Sequence, residues 1–371
     1  MHAMSTTSST HRAIDAVWRI ESARVIAGLA RMLRDLDLAE ELAQDALVAA
    51  LETWPRDGVP DNPGAWLMTT AKRRAIDRLR RLQLLDRKHE ELARELEDIQ
   101  DERRSRDEDA LDHDIDDDLL RLVFVSCHPV LSMDARVALT LRLLCGLTTD
   151  EIARAFLAAE PTVAQRIVRA KRTLAEADVA FEVPRGDALQ ERLASVLGVV
   201  YLVFNEGYAA TSGDDWVRPA LCEEALRLGR MLAALTPREP EVHGLVALME
   251  IQASRLHARV GKDGEAVLLL DQDRSRWDQL LIRRGLEALA RAEQLGGAFG
   301  PYALQAAIAA CHARARTADA TDWVRIATLY AALAQVNPSP VVELNRAVAV
   351  SMATGPASAL PLVERLQDDP A

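Results

Sequence analysis

The sequence is poor in aromatic residues: Phe, Trp and Tyr together make up 4% of its 371 positions. Strands draw on aromatic and β-branched side chains, whereas Ala, Leu and Arg recur here in nearly every segment, so helix is favoured over sheet. Cysteine is also scarce. Cys127, Cys145, Cys222 and Cys311 stand far apart, which excludes the paired spacings of a zinc site or a redox couple and leaves four reduced thiols, mostly buried. His128 beside Cys127 has no further ligand at metal spacing, and His243, His257 and His312 are isolated. No metal and no other cofactor is therefore expected. Long apolar runs are missing too: the longest uncharged apolar stretch, between Arg192 and Glu206, falls short of the roughly 20 residues of a membrane helix. Residues 1–10 are polar and lack the apolar core of a signal peptide. These absences describe a cytoplasmic, all-α chain with no membrane partner. They supply no catalytic constellation, and hence no enzyme.

What the sequence does contain is sorted charge. The length suggests two or three domains, and the formal net charge of -12 would by itself argue against a polyanionic partner. The charge is not evenly spread, however. Lys72, Arg73, Arg74, Arg78, Arg80 and Arg81 form one basic island, and Arg166, Arg169, Lys171 and Arg172 form a second. Between them runs an acidic stretch containing Asp107, Glu108, Asp109, Asp112, Asp114, Asp116, Asp117 and Asp118. Two basic islands around an acidic linker fit a nucleic-acid ligand where a uniformly acidic surface would not.

Periodicity places these islands on helices. After a disordered tail over residues 1–12, apolar residues at helical spacing run from Ile14 through Val17, Ile20, Val25, Leu29 and Leu33. Asp37 followed by Glu40 has the form of a capping box for a second helix to about Trp54. Asn62-Pro63 then predicts a third, with Leu67, Ala71, Ile76 and Leu79 facing the core and the first basic island on its outer side. Residues 84–118 read as a flexible acidic linker. From Leu119 helical periodicity returns: a helix over 134–144 ends at Gly146, Thr148 and Glu151 form a capping box, and Pro161 opens a basic helix reaching Leu174. Helix, tight turn, basic helix is the layout of a helix-turn-helix. Residues 187–371 read as successive amphipathic helices. Leu304–Ala310 resembles Leu344–Val350, which suggests a tetratricopeptide-like helical repeat, although such strings also arise by chance in Ala-rich helices.

Two stretches resemble a known family. Asp37–Trp54 followed by Ala65–Arg81 looks like region 2 of extracytoplasmic-function sigma factors, and Leu139–Ala153 with Thr162, Val163 and Arg166–Arg172 resembles region 4. The order is right, and the matches span 13–83 and 119–181 with the linker between them. The remainder, including Tyr201–Tyr208, is similar to a subgroup with a tetratricopeptide-like C-terminal extension. The resemblance implies promoter DNA and core RNA polymerase as partners, the latter through its beta-prime coiled coil and beta flap. The C-terminal domain, with no catalytic constellation, reads as a regulatory or protein-interaction module with a regulatory protein as its partner.

The same resemblance assigns residues. Capture of the minus-10 element falls to Trp66, Thr69, Thr70, Lys72, Arg73, Arg74, Arg78, Arg80 and Arg81, with Trp66 also readable as a core residue. At the minus-35 element, Ala164, Gln165, Val168 and Arg169 fall at base-facing positions and Thr162, Arg166, Lys171 and Arg172 at phosphates. Many members carry Asn where this chain has Arg73, and Lys or Arg where it has Ala164, which leaves base preference open at both elements. Leu42, Gln44, Asp45 and Glu52 are the candidates for the polymerase contact. The linker's charge reads either as an imitation of nucleic acid or as ordinary solvation. A stand-alone helix-turn-helix regulator with a helical ligand-sensing or dimerisation domain would account for residues 119–371, but it leaves the region-2 resemblance without purpose.

Overall fold

A computed structural model of the chain describes residues 2–85, 108–209, 217–261 and 265–367. Among them stand fifteen α-helices and no strand, in keeping with the all-α expectation. The chain divides into two compact units, residues 1–199 and 200–371.

The first unit holds α1 (His2–Leu33), α2 (Leu36–Asp57), α3 (Pro63–Leu85), α4 (Glu108–Ser126), α5 (Met133–Leu143), α6 (Thr149–Ala155) and α7 (Glu160–Glu176), and the start of α8 (Asp187–Tyr208). Helices α1, α2 and α3 pack on one another, and α4 lies against α1. Ala39, Ala43, Ala46 and Ala50 recur on one face of α2 and are wholly buried. Methyl-sized side chains at this spacing let a neighbouring helix come close. Leu67, Ala71 and Ala75 of α3 complete this core, and Trp54 closes its end.

Local signals explain most helix boundaries. Asn62 accepts from the Ala65 amide at 3.0 Å and Pro63 opens α3, while Thr148 and Glu151 form the expected capping box on α6. Three boundaries differ from expectation. Asp35 caps α2, accepting from the Leu38 amide at 3.0 Å; the box expected from Asp37 and Glu40 does not form, because Glu40 is held by cations of other helices. The tail is helical from His2, since extending a nucleated helix costs little per residue. The acidic run, expected to stay in the linker up to Asp118, is helical from Glu108. Carboxylates are favoured in the first turns of a helix, and Asp118 is buried between Arg31 at 3.0 Å and Arg121 at 2.5 Å. The linker residues 86–107 lie outside the described residues.

Gly146 ends the turn after α5 with φ +67°, and a Cβ there would stand 2.9 Å from the fully buried Ser22 hydroxyl oxygen of α1. Both the backbone conformation and the space call for glycine. Gly146→Ala is expected to destabilise the first unit by about 1–3 kcal/mol, read as a lowered urea midpoint; an unchanged midpoint would show the turn to be more permissive than this.

The second unit holds the rest of α8 and then α9 (Pro219–Leu235), α10 (Pro240–Ala253), α11 (Gln279–Gln294), α12 (Pro301–Arg314), α13 (Trp323–Val336), α14 (Pro340–Thr354) and α15 (Pro356–Gln367). From α9 onward each helix packs on the next. Five of them open on proline, whose missing amide hydrogen is no loss in a first turn. The two similar apolar strings fall on α12 and α14, and Leu304, Ile308 and Cys311 share one core with Ile326, Leu333, Val342 and Ala349. Glu241 of α10 caps α12 from a distance, accepting from the Tyr302 and Ala303 amides at 2.9 and 3.2 Å. Burial raises its pKa, against the lowering effect of those two hydrogen bonds. Among the described residues no helix is long and apolar enough to cross a membrane, and all four cysteines are buried and unbridged.

Candidate nucleic-acid interface

Burial sorts the first basic island into two sets. With Leu67, Ala71 and Ala75 turned inward, Arg73, Arg78, Arg80 and Arg81 stand on the exposed side of α3, together with Thr69. Arg73, Arg78 and Arg81 make no ion pair among the described residues. The others are engaged or partly covered. Lys72 is half-buried and its pKa is lowered, first by that burial and then by Arg31, with Asp118 opposing. Arg74 reaches Asp45 of α2 at 3.4 Å. Thr70 is half-buried, as is Trp66, whose ring meets Trp54 edge-on with centroids 5.3 Å apart. An indole packed on one side and open on the other can serve both the core and a stacked base.

The second island lies on α7. Phe156 ends α6, Leu157 turns with φ +47°, and α7 follows with Val163, Ile167, Ala170 and Leu174 buried along one stripe. Thr162, Gln165, Val168, Arg169 and Arg172 are exposed on the other side, with Ala164 between. Val168 is 61% exposed, one of several apolar side chains that water reaches, and an apolar group on this face can pack against a thymine methyl in a major groove. Arg166 pairs with Asp134 at 3.1 Å and Arg172 with Glu176 at 2.8 Å. Gln165 and Arg169 are the polar side chains on this face best placed to reach a base edge. Together with Thr162, Ser132 and Asp134 they line a cleft of about 410 Å³.

Lys171 is different. Its side chain is only 9% exposed, and the ammonium sits 2.7 Å from Asp37 and 2.5 Å from Glu40 of α2. Glu40, itself buried, also receives Arg142 of α5 at 2.5 Å and the Gln44 amide at 2.8 Å. One carboxylate thus ties α2 to α5 and to α7. An exposed pair between Arg19 of α1 and Glu151 of α6 at 3.1 Å adds a second bridge between the same two parts of the unit.

Comparison with known families puts names to these two parts. Residues 19–84 match the model of sigma-70 region 2 and residues 121–174 that of sigma-70 region 4. The chain belongs to the sigma-70 family. It is an extracytoplasmic-function-like sigma factor with an added C-terminal domain, and residues 192–293 match a family of unknown function, DUF6596. An uncharacterized protein of Rhizobium meliloti (strain 1021) is 46% identical over 344 residues, which is 92% of this chain and 80% of that protein. No solved structure matches. As a sigma-70 protein the chain has a role in promoter recognition, with α3 in region 2 and α7 in region 4.

The polymerase-contact candidates of region 2 do not share one surface. Leu42 is 4% exposed and belongs to the core of the bundle; Gln44 is bonded to Glu40 and Asp45 is paired with Arg74. Glu52 alone of the four is exposed, beside Leu51 and Val48, apolar side chains on the same helix that water reaches. The bond network around Glu40 was missed entirely. Its cationic partners lie about a hundred or more positions away in sequence, and Glu40 carries a ready local explanation as a capping residue.

Proposed function

We propose that this sigma factor binds core RNA polymerase and directs promoter recognition, DNA melting and initiation. Arg73, Arg78, Arg80 and Arg81 hold the backbone at the minus-10 element while Trp66 and Thr69 flank an unstacked base. Gln165, Val168 and Arg169 read the minus-35 element, with Thr162 and Arg172 at its phosphates. Exposed Val48, Leu51 and Glu52 offer a docking face for the polymerase. The single observation that carries this reading is the presence, in one chain and in this order, of two separately built helices whose exposed faces are cationic.

Lys171 adds a requirement. The two elements are about 25 base pairs apart by their names, or roughly 80 Å of duplex at about 3.4 Å per pair. A sigma factor whose α2 and α7 share an ion pair does not span that distance. The form with Lys171 on Glu40 is therefore a resting form, and engagement of a promoter breaks the pair and frees a cation for the minus-35 phosphates.

Run-off transcription tests the proposal. Purified full-length protein plus core enzyme is expected to produce a defined transcript from a duplex promoter that core alone leaves silent. Duplex binding without core and with no transcript under any promoter would instead favour a stand-alone helix-turn-helix regulator.

A further inference from the structure

The second unit contains a group of cations, one buried and two half-buried, that promoter recognition does not use. Arg255, at the end of α10, is 8% exposed, and its guanidinium lies between two aromatic rings, 5.9 Å from the centroid of Tyr208 and 5.8 Å from that of Trp277. Arg259 covers the Tyr208 ring at 3.9 Å, and Arg274 covers Trp277 at 4.5 Å. None of the three arginines makes an ion pair among the described residues. Nε of Arg255, Nε of Arg259 and Nη2 of Arg274 are all buried with no acceptor among the described residues. The remaining neighbour is His312, 8% exposed, with an unpartnered Nδ1.

Three guanidiniums in one place are costly. Each loses hydration, and each repels the other two in a medium of low dielectric. The aromatic faces offset part of this cost, and Arg274 donates to the carbonyls of His312 and Ala315. Neither contact supplies negative charge. His312 does not add to the repulsion: burial, and then Arg255 and Arg274, push its pKa down to about 4, so it remains neutral and its ring can donate or accept a hydrogen bond. Buried donors aimed at no acceptor, around a surplus of positive charge, are what a site presents when its anion is a separate molecule.

We propose that Arg255, Arg259 and Arg274, walled by Tyr208 and Trp277, form a binding site for a small phosphate-type oxyanion, either free or carried on a small molecule. Guanidinium forks match the paired oxygens of a phosphate, and a dianion neutralises most of the charge that three arginines bring. Such a site makes the added domain a sensor of a phosphorylated solute.

The test is thermal unfolding of the full-length protein, dialysed free of phosphate, followed by the fluorescence of its tryptophans. Inorganic phosphate, adenosine monophosphate, succinate and potassium chloride are added at matched ionic strength. Saturating phosphate is expected to raise a midpoint by about 5 °C or more, with succinate well behind and chloride without effect. Half-saturation at least tenfold lower for adenosine monophosphate would identify the phosphoryl group of a small molecule as the ligand; equal half-saturation would identify the free ion. Equal shifts from all four salts, or none from either phosphate probe, would overturn the site. Arg255→Gln is expected to abolish the phosphate gain while leaving the phosphate-free midpoint unchanged or higher, because an uncompensated buried charge has been removed. A phosphate-free midpoint that falls, with the gain retained, means that Arg255 is structural and the site is wrong. Should that variant not fold, half-buried Arg259→Gln decides by the same gain.

Discussion

Glu40→Gln opens the first unit. The substitution keeps the size of the side chain and removes the charge that Lys171 and Arg142 share at 2.5 Å. All three side chains are largely out of water, so solvent does not compensate, and removing one partner of a buried pair costs on the order of 3 kcal/mol. Asp37 still accepts from Lys171 at 2.7 Å, but it is mostly exposed and offers a weaker hold. A loss of about 3 kcal/mol shifts the balance between closed and open forms roughly a hundredfold. Solution scattering from the full-length variant is expected to show a larger radius of gyration, and a minus-35 duplex is expected to bind more tightly because Lys171 has been released. If size and duplex affinity both stay as they were, the clamp does not control the arrangement. Lys171→Met in combination with Glu40→Gln is expected to be non-additive, as for residues that share one interaction.

The second large effect concerns salt. Replacing Arg73, Arg78 and Arg81 together by glutamine removes three cations that make no ion pair among the described residues. Each phosphate contact contributes about 0.7 to 0.9 to the slope of log affinity against log salt. The slope for promoter DNA, measured with holoenzyme, is therefore expected to be shallower by about 2–3. At 0.1 M salt the loss of affinity reaches roughly 10²–10³-fold, and it is nearly independent of promoter sequence because phosphates carry no sequence. A variant with an unchanged slope would remove α3 from the DNA backbone. Loss of discrimination between promoters at constant slope would instead move these arginines to base edges.

Local chemistry was legible in the sequence. Asn62-Pro63, the Thr148–Glu151 box and Gly146 each act within a few positions of themselves, and the structure shows all three doing so. The buried stripe of α7 follows helical periodicity, which left its exposed face readable before any coordinates. Interactions between distant segments were not legible. Nothing near Glu40 announces Arg142 or Lys171, and Leu42 reads equally well as a surface contact or as the core residue it is. The charge-rich run from Glu108 looked like linker because its apolar residues are sparse, yet Asp118 finds Arg31 from α1 and is drawn into the fold. In the second unit nothing in the sequence singles out Arg255, Arg259 and Arg274, which lie up to 19 positions apart. Only tertiary structure sets them around Tyr208 and Trp277.

The alanine ladder of α2 has an evolutionary consequence. Four adjacent methyl groups with no exposed area leave that seam no slack, so one added carbon anywhere along it forces the helices apart and carries Trp54, and the Trp66 ring lying against it, out of place. Sequences descended from this one can drift at the exposed basic rim of α3 without disturbing that packing. The seam beneath it can change only by paired exchanges that enlarge one side while trimming the other.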